Sequence, residues 1–170
     1  MKGNVMNFGT AIKTVFTKYA DFKGVASRSE YWWFSLFSLI MSGVLNALMG
    51  DPNDPNAVVS GISLLWSLGI LIPSLAVSVR RFHDAGFSGK WLLLYLVPTI
   101  LFVVAAASSI PVIVSAVSGT LTGDALAAAI AGLIGVAVPP LVAGFAMFVF
   151  NLVVSLLPSK SAANGNKYAA

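Results

Sequence analysis

The stretch Ser78-Val79-Arg80-Arg81-Phe82-His83-Asp84-Ala85-Gly86-Phe87-Ser88-Gly89-Lys90-Trp91 is a polar island between two long apolar runs. It holds the chain's single histidine. Upstream, residues from about 58 to 79 carry no charge at all. Downstream, the sequence stays apolar nearly to Leu157 and is interrupted only at Ser118–Asp124. A bilayer core needs about 20 apolar residues per helix, and both flanks meet that length. The island is therefore the connection of a transmembrane hairpin.

Composition agrees with lipid as the solvent. Of the 170 residues, 58% are hydrophobic and 9% are charged, against roughly 25% charged in a soluble domain. The mean hydropathy is +0.89. One membrane domain spanning residues 1–170 is the natural organisation. With no cysteine, disulfides and thiol-ligated metals fall away, and one histidine with scattered carboxylates leaves no metal site. No cofactor is implied. A net charge of +4 confined to loops points to membrane orientation rather than to nucleic acid. Residues 1–30 contain Lys2, Lys13, Lys18, Lys23 and Arg28 without an apolar run between them, so no cleavable leader is expected.

Residues 8–22 read as an amphipathic helix. At 100° per residue, Phe8, Ile12, Val15, Phe16, Tyr19 and Phe22 share one face, and Lys13, Thr14, Thr17 and Asp21 the opposite one. Too short and polar to span, such a helix is expected at the interface with its lysines toward headgroups. Packing on the loops of the bundle is the alternative. After Gly24, Ser27 or Ser29 can cap the next helix, with Glu30 in its first turn. Tyr31, Trp32 and Trp33, with Trp91 further on, are expected as interfacial aromatics.

The spans are placed at about 31–49, 58–79, 91–110 and 139–157. Pro73 suggests a kink in the second. Asp51-Pro52-Asn53-Asp54-Pro55-Asn56 is a turn with two acids and no base, which suits an outside loop. Pro139-Pro140 suits a helix start, so the fourth span is set there and residues 112–137 become an extra outer segment. A single long helix from Ala125 is the rival. Every Lys and Arg falls in the N-terminal arm, the 80–90 loop or the tail 158–170, and the outer loops hold only acids. The positive-inside rule then places both termini in the cytoplasm and favours four spans.

Three pieces of sequence carry a family resemblance: Phe22-Lys23-Gly24 followed by Arg28-Ser29-Glu30-Tyr31-Trp32-Trp33-Phe34; Val79 to Trp91 with Pro98; and Leu157-Pro158 with Asn166-Lys167-Tyr168. In this order they resemble DUF805, a family of small bacterial inner-membrane proteins of unknown function. The chain departs from it at Val25, where the family carries a basic residue, and in a longer segment from Trp91 to Leu157. The resemblance implies an all-α membrane fold in the inner membrane and no particular activity.

Two constellations bear on function. His83 beside Asp84 has the residue types of a general base and its orienter, but adjacent positions do not share a helix face and no nucleophile is placed near them. Arg80, Arg81 and Lys90, near the turn amides of residues 86–89, have the chemistry to hold an anionic lipid headgroup. Against both stands a structural cluster in which Arg28, Glu30, Arg81, His83 and Asp84 pair across one end of the bundle. Along the spans, Ser35, Ser38, Ser42 and Asn46, then Ser60, Ser63, Ser67, Ser74 and Ser78, then Asn151 and Ser155, recur at helical spacing. Close helix packing with cross-helix hydrogen bonds is the leading reading, and a polar pathway the other. The expected protein is an all-α, four-span, non-enzymatic membrane component. It contacts anionic lipid, a partner protein or a second copy of itself through its basic face. A small transporter or channel is the alternative, and a lipid-modifying enzyme the third.

Overall fold

The computed structural model describes residues 6–51 and 56–169. Its α-helices are α1 (Phe8–Thr17), α2 (Arg28–Met49), α3 (Ala57–Asp84), α4 (Leu96–Val117) and α5 (Gly123–Leu156). Short 3-10 segments run over Gly89–Tyr95 and Ala162–Asn164. No strand occurs among the described residues. Four stretches are long and apolar enough to cross a membrane: α2, α3, Gly89–Val117 and α5. Their outer faces carry Leu39 at 69%, Leu65 at 70% and Phe145 at 69% exposure. Apolar surface on that scale is stable only against lipid.

The helices fall into two compact units. The first comprises the chain up to Gly89 together with everything from Val154 onward; the second is Lys90–Val153.

In the first unit, α2 and α3 form a hairpin of their own, separate from the connection at residues 78–91, and α1 lies against α2. Ser27 caps α2 by accepting from the Glu30 amide at 3.1 Å. Asn56 caps α3, accepting from the amides of Val58 and Val59. The Asn56 amide closes the connection onto the Met49 carbonyl at 2.9 Å. The turn expected at Asp51–Asn56 otherwise falls on residues 52–55, outside the described residues. The core is built from Val15 of α1, Ala26, Phe34 of α2 and Val77 of α3. Phe8 and Phe16 meet Trp33, Phe34 and Phe37 edge-on at 5.6–6.4 Å. Much of the apolar stripe of α1 is thus covered by α2.

The end of α3 explains the glycines of the polar island. The Phe87 amide donates to the Phe82 carbonyl and the Gly86 amide to that of His83, with Gly86 at φ +86°. This is a Schellman C-cap, whose left-handed position glycine occupies without strain. Gly89 answers a different need: a Cβ there would lie 2.7 Å from Val79 Cγ1.

In the second unit, α4 and α5 are joined across residues 118–122. Tyr95 donates its hydroxyl to the Met147 carbonyl at 3.2 Å, and Trp91 lies against Phe150.

Three expected boundaries differ. The first helix ends at Thr17 rather than residue 22, because Tyr19 turns away to α3, where its hydroxyl meets the Gly69 carbonyl. Trp91 belongs to the 3-10 segment, and the regular helix of the third span begins at Leu96. There is no helix start at Pro139: α5 is one helix of 34 residues with both prolines inside it, and most of the expected outer segment 112–137 is helical. Two prolines free two carbonyls, but in an apolar solvent ending the helix would free more, since each end leaves four backbone groups unpaired.

Candidate functional site

The candidate site is the basic end of the first unit, where α2 begins and α3 and α5 end. Adjacent Arg80 and Arg81 point to different neighbours, as successive residues of a helix must.

Arg80 is fully buried and faces α2. Its Nη1 lies 2.9 Å from Glu30 Oε1 as an ion pair without aligned hydrogen-bond geometry. Its Nε turns back to the Ala76 carbonyl at 3.4 Å. Nη2 has no hydrogen-bond partner among the described residues. A backbone link runs beside the pair, from the Ala26 amide to the Arg80 carbonyl at 3.0 Å.

Arg81, also fully buried, faces the end of α5. Nε donates to the Ser155 carbonyl at 3.1 Å, Nη2 to the carbonyls of Leu157 and, at 3.5 Å, Val154, and Nη1 to Asp84 Oδ2. The last carbonyls of a helix lack intrahelical donors and carry the negative end of its dipole. A guanidinium, with five donors in a planar fork, serves several of them at once. Arg28 reaches the same end, Nη1 to the Leu156 carbonyl at 3.5 Å.

Residues of the tail fold back over this end. Ser159 donates to Asp84 Oδ2 at 2.6 Å, and the Lys160 amide to the Asp84 carbonyl at 2.9 Å. Asn166, 5% exposed, donates to the carbonyls of His83 at 2.8 Å and Lys160 at 3.0 Å. Tyr168 stacks on the His83 ring, centroids 3.9 Å apart and planes 7° from parallel. On its other side, His83 Nδ1 lies 3.1 Å from the Gly24 carbonyl, which places the proton on Nδ1.

The partner scheme expected from sequence is therefore rearranged. Glu30 pairs with Arg80 rather than with Arg81, so Arg80 joins the first two spans, and Arg81 ties α3 to the end of α5. Asp84 serves Arg81 and Ser159 and does not orient His83, so the two adjacent residues form no general-base dyad. Nor do Arg80 and Arg81 present donors outward to a headgroup: both side chains are fully buried, and the donors of Arg81 are taken by protein acceptors. Lys90 is exposed and opens the second unit. Trp32, Trp33 and Trp91 are part-exposed, at 39%, 37% and 44%. Tyr31 is half-buried and edge-on to Trp32, while Trp33 Nε1 donates to the Met6 carbonyl at 3.0 Å.

Among the described residues, serine hydroxyls bond mainly within their own helices rather than across the hairpin as expected. Ser35, Ser38 and Ser67 return their hydroxyls to the carbonyls four residues back on their own helices. Ser42 is the exception, accepting from Trp66 Nε1 at 3.1 Å. Two clefts open between α2 and α3. One, of ≈ 390 Å³, is lined by Ser35, Ser38, Ser42, Ser74 and Ser78 among others. The other, of ≈ 260 Å³, is lined by Ser42, Asn46, Ser63, Trp66 and Ser67 among others. No group of three or more His, Cys, Asp or Glu side chains stands together among the described residues.

Sequence reading missed Ser159, Asn166 and the stacking role of Tyr168. A lone amide and a lone aromatic in a polar tail have no periodicity to mark them. The only signal was the position of Asn166-Lys167-Tyr168 in the family pattern.

Comparison with known proteins gives the same picture at the level of family. The chain is 35% identical over 92 residues to inner membrane protein YhaI of Escherichia coli K12, covering 51% of this chain and 71% of that protein. It is 37% identical over 87 residues to inner membrane protein YhaH of the same strain, covering 51% and 72%. No solved structure matches. Four membrane-crossing helices and these relatives make the chain a multi-pass inner membrane protein. A family model matches residues 19–170, and the chain belongs to that family, described as "Protein of unknown function (DUF805)".

Proposed function

We propose that the protein is a non-enzymatic component of the inner membrane that meets anionic lipid headgroups through the exposed lysines of its basic end, with that end and the tail in the cytoplasm. One observation carries the reading: the basic residues are divided into buried and exposed sets. Arg80 and Arg81 are consumed by the fold, whereas Lys13, Lys18, Lys23, Lys160 and Lys167 of the same unit are exposed. Near an anionic surface each lysine contributes about 1 kcal/mol. The part-exposed Trp32 and Trp33 suit the headgroup level. Orientation follows from the confinement of all Lys and Arg to the arm, the 80–90 segment and the tail.

The test is lipid retention by purified protein in detergent, read by native mass spectrometry with phosphatidylglycerol against phosphatidylcholine. Replacing Lys13, Lys18 and Lys23 together by Gln is expected to remove the preference for phosphatidylglycerol. An unchanged preference would sink the lipid reading and favour a protein partner at the same face.

A second reading rests on the clefts. They share Ser42, so polar groups follow one another along the hairpin, as a small transporter or channel would use them. Solute flux into liposomes that is lost when Ser67 and Ser74 become Leu would support it. Absence of flux for the unaltered protein would remove it.

A further inference from the structure

Pro73 lies buried inside α3. A proline has no N–H, so the carbonyl of Gly69, four residues back, loses the donor it would have in a regular helix. Inside a membrane protein such a carbonyl must find another donor, because lipid offers none. Tyr19, on the turn that follows α1, places its hydroxyl 2.5 Å from the Gly69 carbonyl and donates to it. The arm reaches this position by packing. Ala11 and Val15 of α1 are fully buried, and Val15 belongs to the core against which Ile70, the next residue after Gly69, is packed.

We infer that the N-terminal arm is a strap across a hinge in α3, in which Tyr19 supplies the donor that Pro73 lacks. The hinge is the weakest turn of that helix, since proline both removes a bond and crowds the preceding turn. The strap holds it in one geometry. What it controls is the shape of the serine-lined clefts, which lie on the two sides of the hinge. Ser63, Trp66 and Ser67 line the cleft before the Gly69–Pro73 turn, and Ser74, Val77 and Ser78 the cleft after it. With the arm docked both clefts have the form described above. With the arm lifted, α3 bends or unwinds at Gly69–Pro73 and both change. This holds whether or not the basic end binds lipid, since Tyr19 acts through the backbone of the same chain.

The test is a double-mutant cycle on the full chain in nanodiscs, read by hydrogen–deuterium exchange of the α3 segment 70–78. Tyr19→Phe keeps the ring and removes only the donor. It is expected to speed exchange in that segment about fivefold, the effect of one ordinary hydrogen bond. In a Pro73→Ala background the new amide serves Gly69, and Tyr19→Phe is expected to leave exchange unchanged. Should Tyr19→Phe fold poorly by itself, rescue by Pro73→Ala supports the strap, and failure to rescue counts against it. No effect of Tyr19→Phe in the natural background, or an equal effect in both, overturns the inference.

Discussion

Arg80 and Arg81 are neighbours in sequence and strangers in space. Each is buried without exposure, and each is tolerated there because a carboxylate stands beside it: Glu30 for the first, Asp84 for the second. Desolvating a charge costs several kcal/mol, and removing one member of a buried pair strands the other. Glu30→Ala should therefore destabilise the protein by about 3–5 kcal/mol, read as a lowered melting temperature in detergent. Replacing Glu30 and Arg80 together by Met should cost much less, because no charge is left behind. If the double variant melts as low as the single one, the pair contributes packing rather than charge compensation. This role was half legible beforehand. The residue types and their confinement to one end could be read from spacing. Which arginine faced which helix could not, since that depends on the rotation of α3 about its axis, which local sequence does not set.

The tail acts as an element although it has almost no regular structure. Asn166 binds the carbonyls of His83 and Lys160, Ser159 and the Lys160 amide bind Asp84, and Tyr168 covers the His83 ring. Together they seal the open end of α3, beyond what its Schellman turn achieves. Asn166→Ala removes the amide donor that bridges the carbonyls of His83, which keeps the Gly86 amide, and Lys160, an expected cost of about 1–3 kcal/mol for the two bonds. Its clearest readout is limited proteolysis: the tail should be cut faster in the variant while the spans remain intact. An unchanged cleavage rate would mean that the bonds to Asp84 and the stacking on His83 hold the tail without Asn166. Elements with a strong period were the legible ones. The α2–α3 hairpin, a cap at Ser27 or Ser29 and the apolar stripe of α1 all follow from residue types at fixed spacing. The path of α5 was not legible, because Pro139-Pro140 reads equally as a helix start and as an interior break. What decides is the solvent, which makes an unpaired helix end costlier than two missing bonds.

For the molecule as a whole, the proposed orientation has a direct check, and the absence of cysteine makes every introduced thiol unique. A cysteine at Ser161, in the tail, should react with a membrane-impermeant maleimide only after spheroplasts are opened. One at Thr122, in the connection between α4 and α5 just before Asp124, should react in intact spheroplasts. Reaction at both positions in intact spheroplasts would contradict an even number of crossings with the tail inside.

The bond between Arg81 and the end of α5 also has a consequence in time. The Ser155 carbonyl that Arg81 binds lies 74 residues further along the chain. At a synthesis rate of about 5–20 residues per second, roughly 4–15 s separate the appearance of the guanidinium from that of its acceptors. Through that interval Asp84 is the partner already made, and the hairpin is inserted with one arginine incompletely satisfied. A nascent chain halted before Val154 would remain in that condition, with Arg81 paired to Asp84 but without the carbonyls at the end of α5.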